Sequence, residues 1–279
     1  MASRRRDSIR PALPSRASEP YARSSERVPR ERRPVSCERP QPDEIRIGVS
    51  ACLLGQEVRY DGGHKRDPFL TGTLAGLVRF IPVCPEVEAG LGVPRESMQL
   101  VRDGDAVRLV TTRTGIDHTA SMRRFARQRV AALVREDLSG FVFKRNSPSC
   151  GLFEVRLHDR NGVPSSTGRG LFAAALIERL PDLPVEEEER LRDPTLRDSF
   201  LERVFAYRRL TQLLRGSFSI ARLAEFHARE RPLLRVRDPA AEHDLTSLVA
   251  EAAKLPRPRL KARYRQRFLE AFKPDDSHA

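Results

Sequence analysis

Three short apolar runs, each delivering a cysteine at or just past its end, constrain this chain more tightly than any other feature. Ile45-Arg46-Ile47-Gly48-Val49 stops at Ser50-Ala51-Cys52, and Phe80-Ile81-Pro82-Val83 stops at Cys84. Gly140-Phe141-Val142-Phe143-Lys144 runs on through Ser147-Pro148-Ser149 to Cys150-Gly151. Runs of this length, rich in Val, Ile and Phe and bounded by Gly, Pro and Ser, read as strands. Helical periodicity lies between and after them, at 69–79 (Leu70, Leu74, Leu77), 119–138 (Met122, Phe125, Val130, Leu133, Val134) and 170–180. Strands alternating with helices predict an α/β fold with a mainly parallel sheet. In such a sheet the carboxyl ends of the strands share one edge, where ligands bind. Three thiols distant in sequence can then meet without any CxxC spacing.

The rest of the pattern fits the same frame. Leu100-Val101 and the run 107–112 flank Arg102-Asp103-Gly104-Asp105, which is hairpin chemistry. A further short strand is expected over 153–157, followed by a polar loop containing Gly162, and Leu183-Pro184-Val185 closes the domain. The expected organisation is a Rossmann-like α/β domain over 45–185, an acidic boundary over 186–193, and a small all-α domain over 194–279. Asp193 as N-cap and Pro194 at the first helical position make a good helix start. Leu196, Phe200, Val204, Tyr207 and Leu214 then recur at helical spacing. Residues 1–44 are rich in Arg, Pro, Ser and Glu without apolar periodicity. Such an arm cannot build a core and is expected to be disordered.

Composition narrows the chemistry. No run of about 18 apolar residues is present, and the basic N-terminus lacks an apolar h-region. Neither a membrane span nor a secretory leader is expected, and the expected compartment is the cytoplasm. There, four cysteines serve metal binding or catalysis rather than disulfides. Cys37 lies in the arm and reads as a bystander. The net charge of +13 attracts polyanions, yet it is spread over arm, middle and C-terminal third alike. A nucleic-acid partner is permitted by it and not demanded. On the residues alone, two readings of Cys52, Cys84 and Cys150 stand open: ligands of one metal centre, or small apolar fillers of a core. Pro85 and Gly151 flank two of them and mark loop exits rather than element interiors, which speaks for the first.

Longer motifs around the same cysteines carry a resemblance. Ser50-Ala51-Cys52-Leu53-Leu54-Gly55 is followed by Arg59-Tyr60-Asp61-Gly62; Val83-Cys84-Pro85-Glu86-Val87 is followed by Gly90-Leu91 and Pro94-Arg95. With Lys144 through Ser147-Pro148-Ser149-Cys150-Gly151, these resemble, in order, three signatures of the thiouracil desulfidase family. The resemblance implies a [4Fe-4S] cluster held by Cys52, Cys84 and Cys150, with the fourth iron open to sulfur from a thiolated uracil. Three protein ligands and an open position is the arrangement that catalytic metals use. Replacing sulfur by oxygen also needs a proton acceptor and donor nearby. By motif position Glu86, Ser147 and Ser149 are the candidates for that work, and Asp61, Arg95 and Lys144 for substrate binding. Each has a plainer alternative: Glu86 caps a helix after Pro85, Asp61 forms a turn beside Gly62, Arg95 makes a structural ion pair, Lys144 faces solvent.

The expected substrate is a thiolated pyrimidine, either a small free base or a base within thiolated tRNA. Rival readings keep the three cysteines and change their role. One is another thiocarbonyl substrate. A second is a non-catalytic RNA-binding or redox-sensing module, for which a fourth ligand such as His64 would speak. A three-cysteine zinc site is the third. From Leu196 onward the chain resembles the YbgA-like domain often fused to this family, and the resemblance implies a domain longer than this one, so an incomplete copy is expected. The run 254–267 holds seven basic residues and no acidic one. Arg263, Arg265 and Arg267 cannot share one helical face; a solvated surface is the plain reading, a nucleic-acid contact the alternative.

Overall fold

Alternation within two strands explains the central sheet of the structure, a computed structural model that describes residues 45–159 and 161–273. In β1 (Arg46–Ser50), Ile47 and Val49 join one core and Gly48 faces the other way. A Cβ on Gly48 would stand 2.2 Å from the Phe141 ring, so only glycine fits. β1 pairs in parallel with β2 (Arg79–Val83) on one side and with β5 (Gly140–Phe143) on the other. β5 pairs in parallel with β8 (Val185–Glu187), giving the order β2-β1-β5-β8. The chain steps outward from β1 to β2 and later returns to the other side of β1. The order therefore reverses between β1 and β5, the position at which open α/β sheets bind ligands.

Hydrophobic burial covers both faces. A single turn, α1 (Pro85–Glu88), follows β2. α2 (Thr119–Arg135) and α3 (Leu171–Arg179) bring Val130, Leu133, Phe172 and Leu176 onto Phe141 and Phe143. Leu53, Leu70 and Leu74 cover the opposite face together with Phe200 and Val204 of α4 (Pro194–Arg215). A second sheet of order β4-β3-β6-β7 comprises β3 (Met98–Asp103), β4 (Ala106–Thr111), β6 (Val155–His158) and β7 (Pro164–Gly168). The C-terminal region is helical, with α5 (Ile220–Arg237), α6 (Pro239–Ala250) and α7 (Arg257–Glu270) around Phe226, Tyr264 and Phe268. The fold is thus α/β with a parallel sheet, followed by a helical region. Among the described residues no helix is long and apolar enough to cross a membrane.

Several expectations meet a different structure. The arm over 1–44, with Cys37, lies outside the described residues. In place of a helix over 69–79 stand a turn of π-helix, Phe69–Thr73, and a 3₁₀ turn, Leu74–Gly76. Gly72 and Gly76 each cost about 1 kcal/mol in a helix relative to Ala, and the Thr71 hydroxyl donates to the Asp67 carbonyl. The polar loop after the 153–157 strand contains β7, whose exposed residues show no alternation to read; its proline opens an edge strand, where no ladder donor is needed. The acidic stretch 186–193 is no linker at its start. β8 extends into it, and Glu186, Glu187 and Glu188 are only 4%, 3% and 7% exposed. Asp193 does cap α4, accepting from the Thr195 and Leu196 amides.

Candidate active site

The three cysteines leave three adjacent parallel strands at one sheet edge. Cys52 sits in the 3₁₀ turn Ala51–Leu54 directly after β1, closed by Gly55 at φ 89°. Cys84 follows β2 and is the N-cap of α1, where its amide donates to the Glu88 carboxylate (2.8 Å). Cys150 lies on the loop after β5, its amide bound to Ser147 Oγ (3.0 Å). All three line one cavity of about 380 Å³, within the roughly 300–1,000 Å³ range of small-ligand sites. None forms a disulfide. Burial pushes the Cys52 thiol up to about 11, with neighbouring Cys84 adding to the rise. Burial also raises Cys84, and it raises Cys150 well above the usual thiol value. Three sulfurs that resist ionisation one by one are gathered where a cationic centre would favour their thiolates.

Glu86 and Arg95 share the cavity wall and hold each other. Arg95 Nε donates to Glu86 Oε2 (2.9 Å), and its Nη2 makes a second, short bond to the same oxygen. Arg95 further donates to the carbonyls of Gly92 (2.8 Å) and Val58 (3.0 Å). The other Glu86 oxygen accepts from Ser149 Oγ at 2.9 Å. Glu86 therefore does not cap α1; its carboxylate is oriented from both sides. Ser149 is fully buried behind it. Ser147 lines the cavity, and its oxygen also accepts from the Ser149 amide.

Lys144 reaches the cavity wall with its ammonium bonded to Glu188 and to the Arg145 carbonyl (3.1 Å). Its amide donates to Ser50 Oγ (2.9 Å), and the Ser50 side chain also bonds the Cys150 sulfur. The structure thus brings together Cys52, Cys84, Cys150, Glu86, Arg95, Ser147, Ser149 and Lys144. Asp61 and His64 stand apart. Asp61 is exposed, pairs with Arg59 (3.3 Å) and accepts from the Gly63 amide, which holds its carboxyl below the usual value. His64 is exposed, and its Nδ1 accepts from the Arg66 amide. Glu188 escaped the sequence reading because an acidic run after a strand looks like a linker. No sequence signal marks it, because its partners Lys144 and Arg145 lie on a loop more than forty residues away.

Of the seven basic residues in 254–267, four have partners: Lys254 with Glu251, Lys261 with the Leu214 carbonyl, Arg265 with Asp182, and Arg267 with Asp238 and Asp244. Arg257, Arg259 and Arg263 are exposed.

Comparison with known proteins covers this same region. The model of the 2-thiouracil desulfurase family matches residues 47–188, about half of the chain. An uncharacterized Bacillus subtilis (strain 168) protein, YbbK, is 32% identical over 140 residues, spanning 47% of this chain and 88% of YbbK. A solved structure of the [4Fe-4S]-dependent thiouracil desulfidase TudS shares 34% sequence identity at a TM-score of 0.43, over 56% of this chain and 98% of TudS. The family match contains the cavity and every side chain that lines it, and on it the chain belongs to the 2-thiouracil desulfurase family of sulfur-removing enzymes.

Proposed function

We propose that this chain replaces the sulfur of a thiolated pyrimidine by oxygen, releasing hydrosulfide, at a [4Fe-4S] cluster held by Cys52, Cys84 and Cys150. The observation that carries the reading is the arrival of three thiols from three neighbouring strands in one cavity that also receives a doubly held carboxylate. The donor set fits a cluster: thiolates suit iron–sulfur centres. His64, outside the cavity lining, offers no fourth ligand. When bound, the cluster would supply a thiophilic iron with a free position, which polarises a C=S bond and accepts the departing sulfur.

The remaining work falls to this chain's side chains. Glu86 takes one proton from the water that attacks the ring carbon and passes it to the departing sulfur, and the second proton is lost to solvent as the carbonyl forms, so that C=S and H₂O become C=O, HS⁻ and H⁺. Arg95 and Ser149 fix its two oxygens before substrate arrives, so no reorganisation is needed during reaction. Lys144 brings a positive charge to the wall beside Cys52. Ser147 presents a hydroxyl to the base. Asp61 serves the Arg59–Gly63 turn. The base is taken free or within tRNA, with Arg257, Arg259 and Arg263 as the exposed cations an RNA would meet.

Anaerobically purified protein, assayed for iron, sulfide and conversion of a thiouracil and of thiolated tRNA, tests this reading. Iron is expected in the parent and lost in Cys52→Ala, Cys84→Ala and Cys150→Ala. Equal iron in Cys84→Ala and the parent would overturn the assignment.

A further inference from the structure

Three consecutive glutamates at the end of β8 are buried, and strand alternation sends them different ways. Glu186 pairs in register with Val142 and meets Arg190 (3.0 Å) of the 3₁₀ turn Arg190–Arg192 and Arg203 (3.5 Å) of α4. Glu187 pairs with Phe143 and faces the opposite side. There a single oxygen, Oε1, accepts from the amides of Leu152 (2.8 Å) and Phe153 (3.2 Å). Glu188 bonds the Lys144 ammonium with one oxygen and the Arg145 amide with the other (2.8 Å). The loop that carries Ser147, Ser149 and Cys150 is therefore gripped at its start by Glu188 and just past Cys150 by Glu187.

We propose that Glu187 and Glu188 are positioning residues of the sulfur-removing site: they clamp the two ends of the Cys150 loop, and Glu188 also holds the Lys144 ammonium against the three-cysteine cavity. The proposal rests on the cluster reading above for its redox consequence only. A carboxylate is suited to this place because it accepts without donating, and all four groups it receives are donors. The two positions differ in what they tolerate. Glu187 uses one oxygen, so a glutamine keeps both bonds with its amide oxygen. Glu188 uses both, so a glutamine must point its NH₂ at one donor and leaves the Lys144 charge without a counter-charge. An uncompensated cation beside the thiolates favours the reduced cluster.

The test uses the full chain with three variants, Glu187→Gln, Glu187→Ala and Glu188→Gln, each measured for melting temperature, iron, cluster midpoint potential, kcat and KM. Partners that orient metal ligands typically alter affinity or activity by roughly 10–100-fold. Glu188→Gln is expected to keep its iron, shift the midpoint potential upward and lose kcat in that range, with KM little changed. Glu187→Gln is expected to match the parent, and Glu187→Ala to lose iron. In protein stripped of iron, Cys150 is expected to alkylate faster in Glu187→Ala than in Glu187→Gln. Parent-level potential and kcat in Glu188→Gln, or equal iron and equal Cys150 alkylation in the two Glu187 variants, would overturn the clamp. A parent protein that binds no cluster or leaves thiouracil untouched would defeat the proposed function instead, with the alkylation rates still deciding the clamp.

Discussion

Glu86 is a carboxylate whose hydrogen bonds can be preserved while its charge is removed. In Glu86→Gln the amide oxygen can take both Arg95 bonds, and the Ser149 hydroxyl can turn to accept from the new NH₂ group. The shape of the wall stays, and only the ability to hold a proton goes. General acid–base groups contribute roughly 10²–10⁴-fold, so thiouracil turnover should fall within that range at unchanged iron content. A lowered melting temperature with parent-level turnover would mean that Glu86 serves only to partner Arg95. The residue scale is also where legibility was uneven. The cysteines were readable because each ends an apolar run, and Glu86 because it sits two positions past one. Arg95 was readable as present near the site, but its engagement with Glu86, Gly92 and Val58 depends on a loop path that spacing does not encode. Glu187 and Glu188 were unreadable because their partners lie on a loop distant in sequence.

At the scale of elements, the Cys150 loop and α3 complete each other. α3 has no side-chain N-cap, and the first amides of a helix need acceptors from outside it. The loop supplies them: Pro148 O accepts from Leu171 N (3.1 Å), Ser149 O from Phe172 N (3.0 Å) and Ala173 N (3.2 Å), and Gly151 O from Gly170 N (2.8 Å). Backbones this close leave no room for a side chain, since a Cβ on Gly170 would stand 2.5 Å from Ser149 backbone atoms. Gly170→Ala should therefore cost about 1–3 kcal/mol, as overpacking does, and lower iron occupancy by displacing Cys150. Gly72→Ala is the control, because a Cβ there meets nothing within 4 Å. Equal melting temperatures and iron contents in the two variants would refute the docking. The parallel sheet, the β3–β4 hairpin and α2 were legible because each has regular apolar spacing. The turns at Phe69–Thr73 and Leu74–Gly76 were not, since Leu70, Leu74 and Leu77 repeat like a helix while the glycines between them do not hold one.

For the molecule as a whole, the helical region completes the α/β core and is not a free appendage. The described residues, from 45 to 273, hold together as one unit. α4 lies so close to the sheet that a Cβ on Gly140 would stand 2.8 Å from the Val204 side chain. Phe200 and Val204 are fully buried against Ile47, Val49 and Val142, and Tyr207 packs into the core of the other face. Charges tie the same parts: Glu186 to Arg203 (3.5 Å), Asp137 to Arg208 (2.6 Å) and Asp182 to Arg265 (2.8 Å). Apolar burial should dominate. Phe→Ala in a core costs roughly 3–5 kcal/mol, whereas an exposed ion pair contributes about 0–1 kcal/mol. Phe200→Ala is thus expected to lower the melting temperature and the iron content together, although it touches no cysteine. Arg265→Ala should leave both near the parent values, since its pair with Asp182 is partly solvated. A chain ended at Glu189 strips the sheet of its α4 cover and should aggregate or fail to load iron. A monomeric, iron-loaded protein of that length with the parent's melting temperature would show that the cysteine-bearing sheet stands without α4.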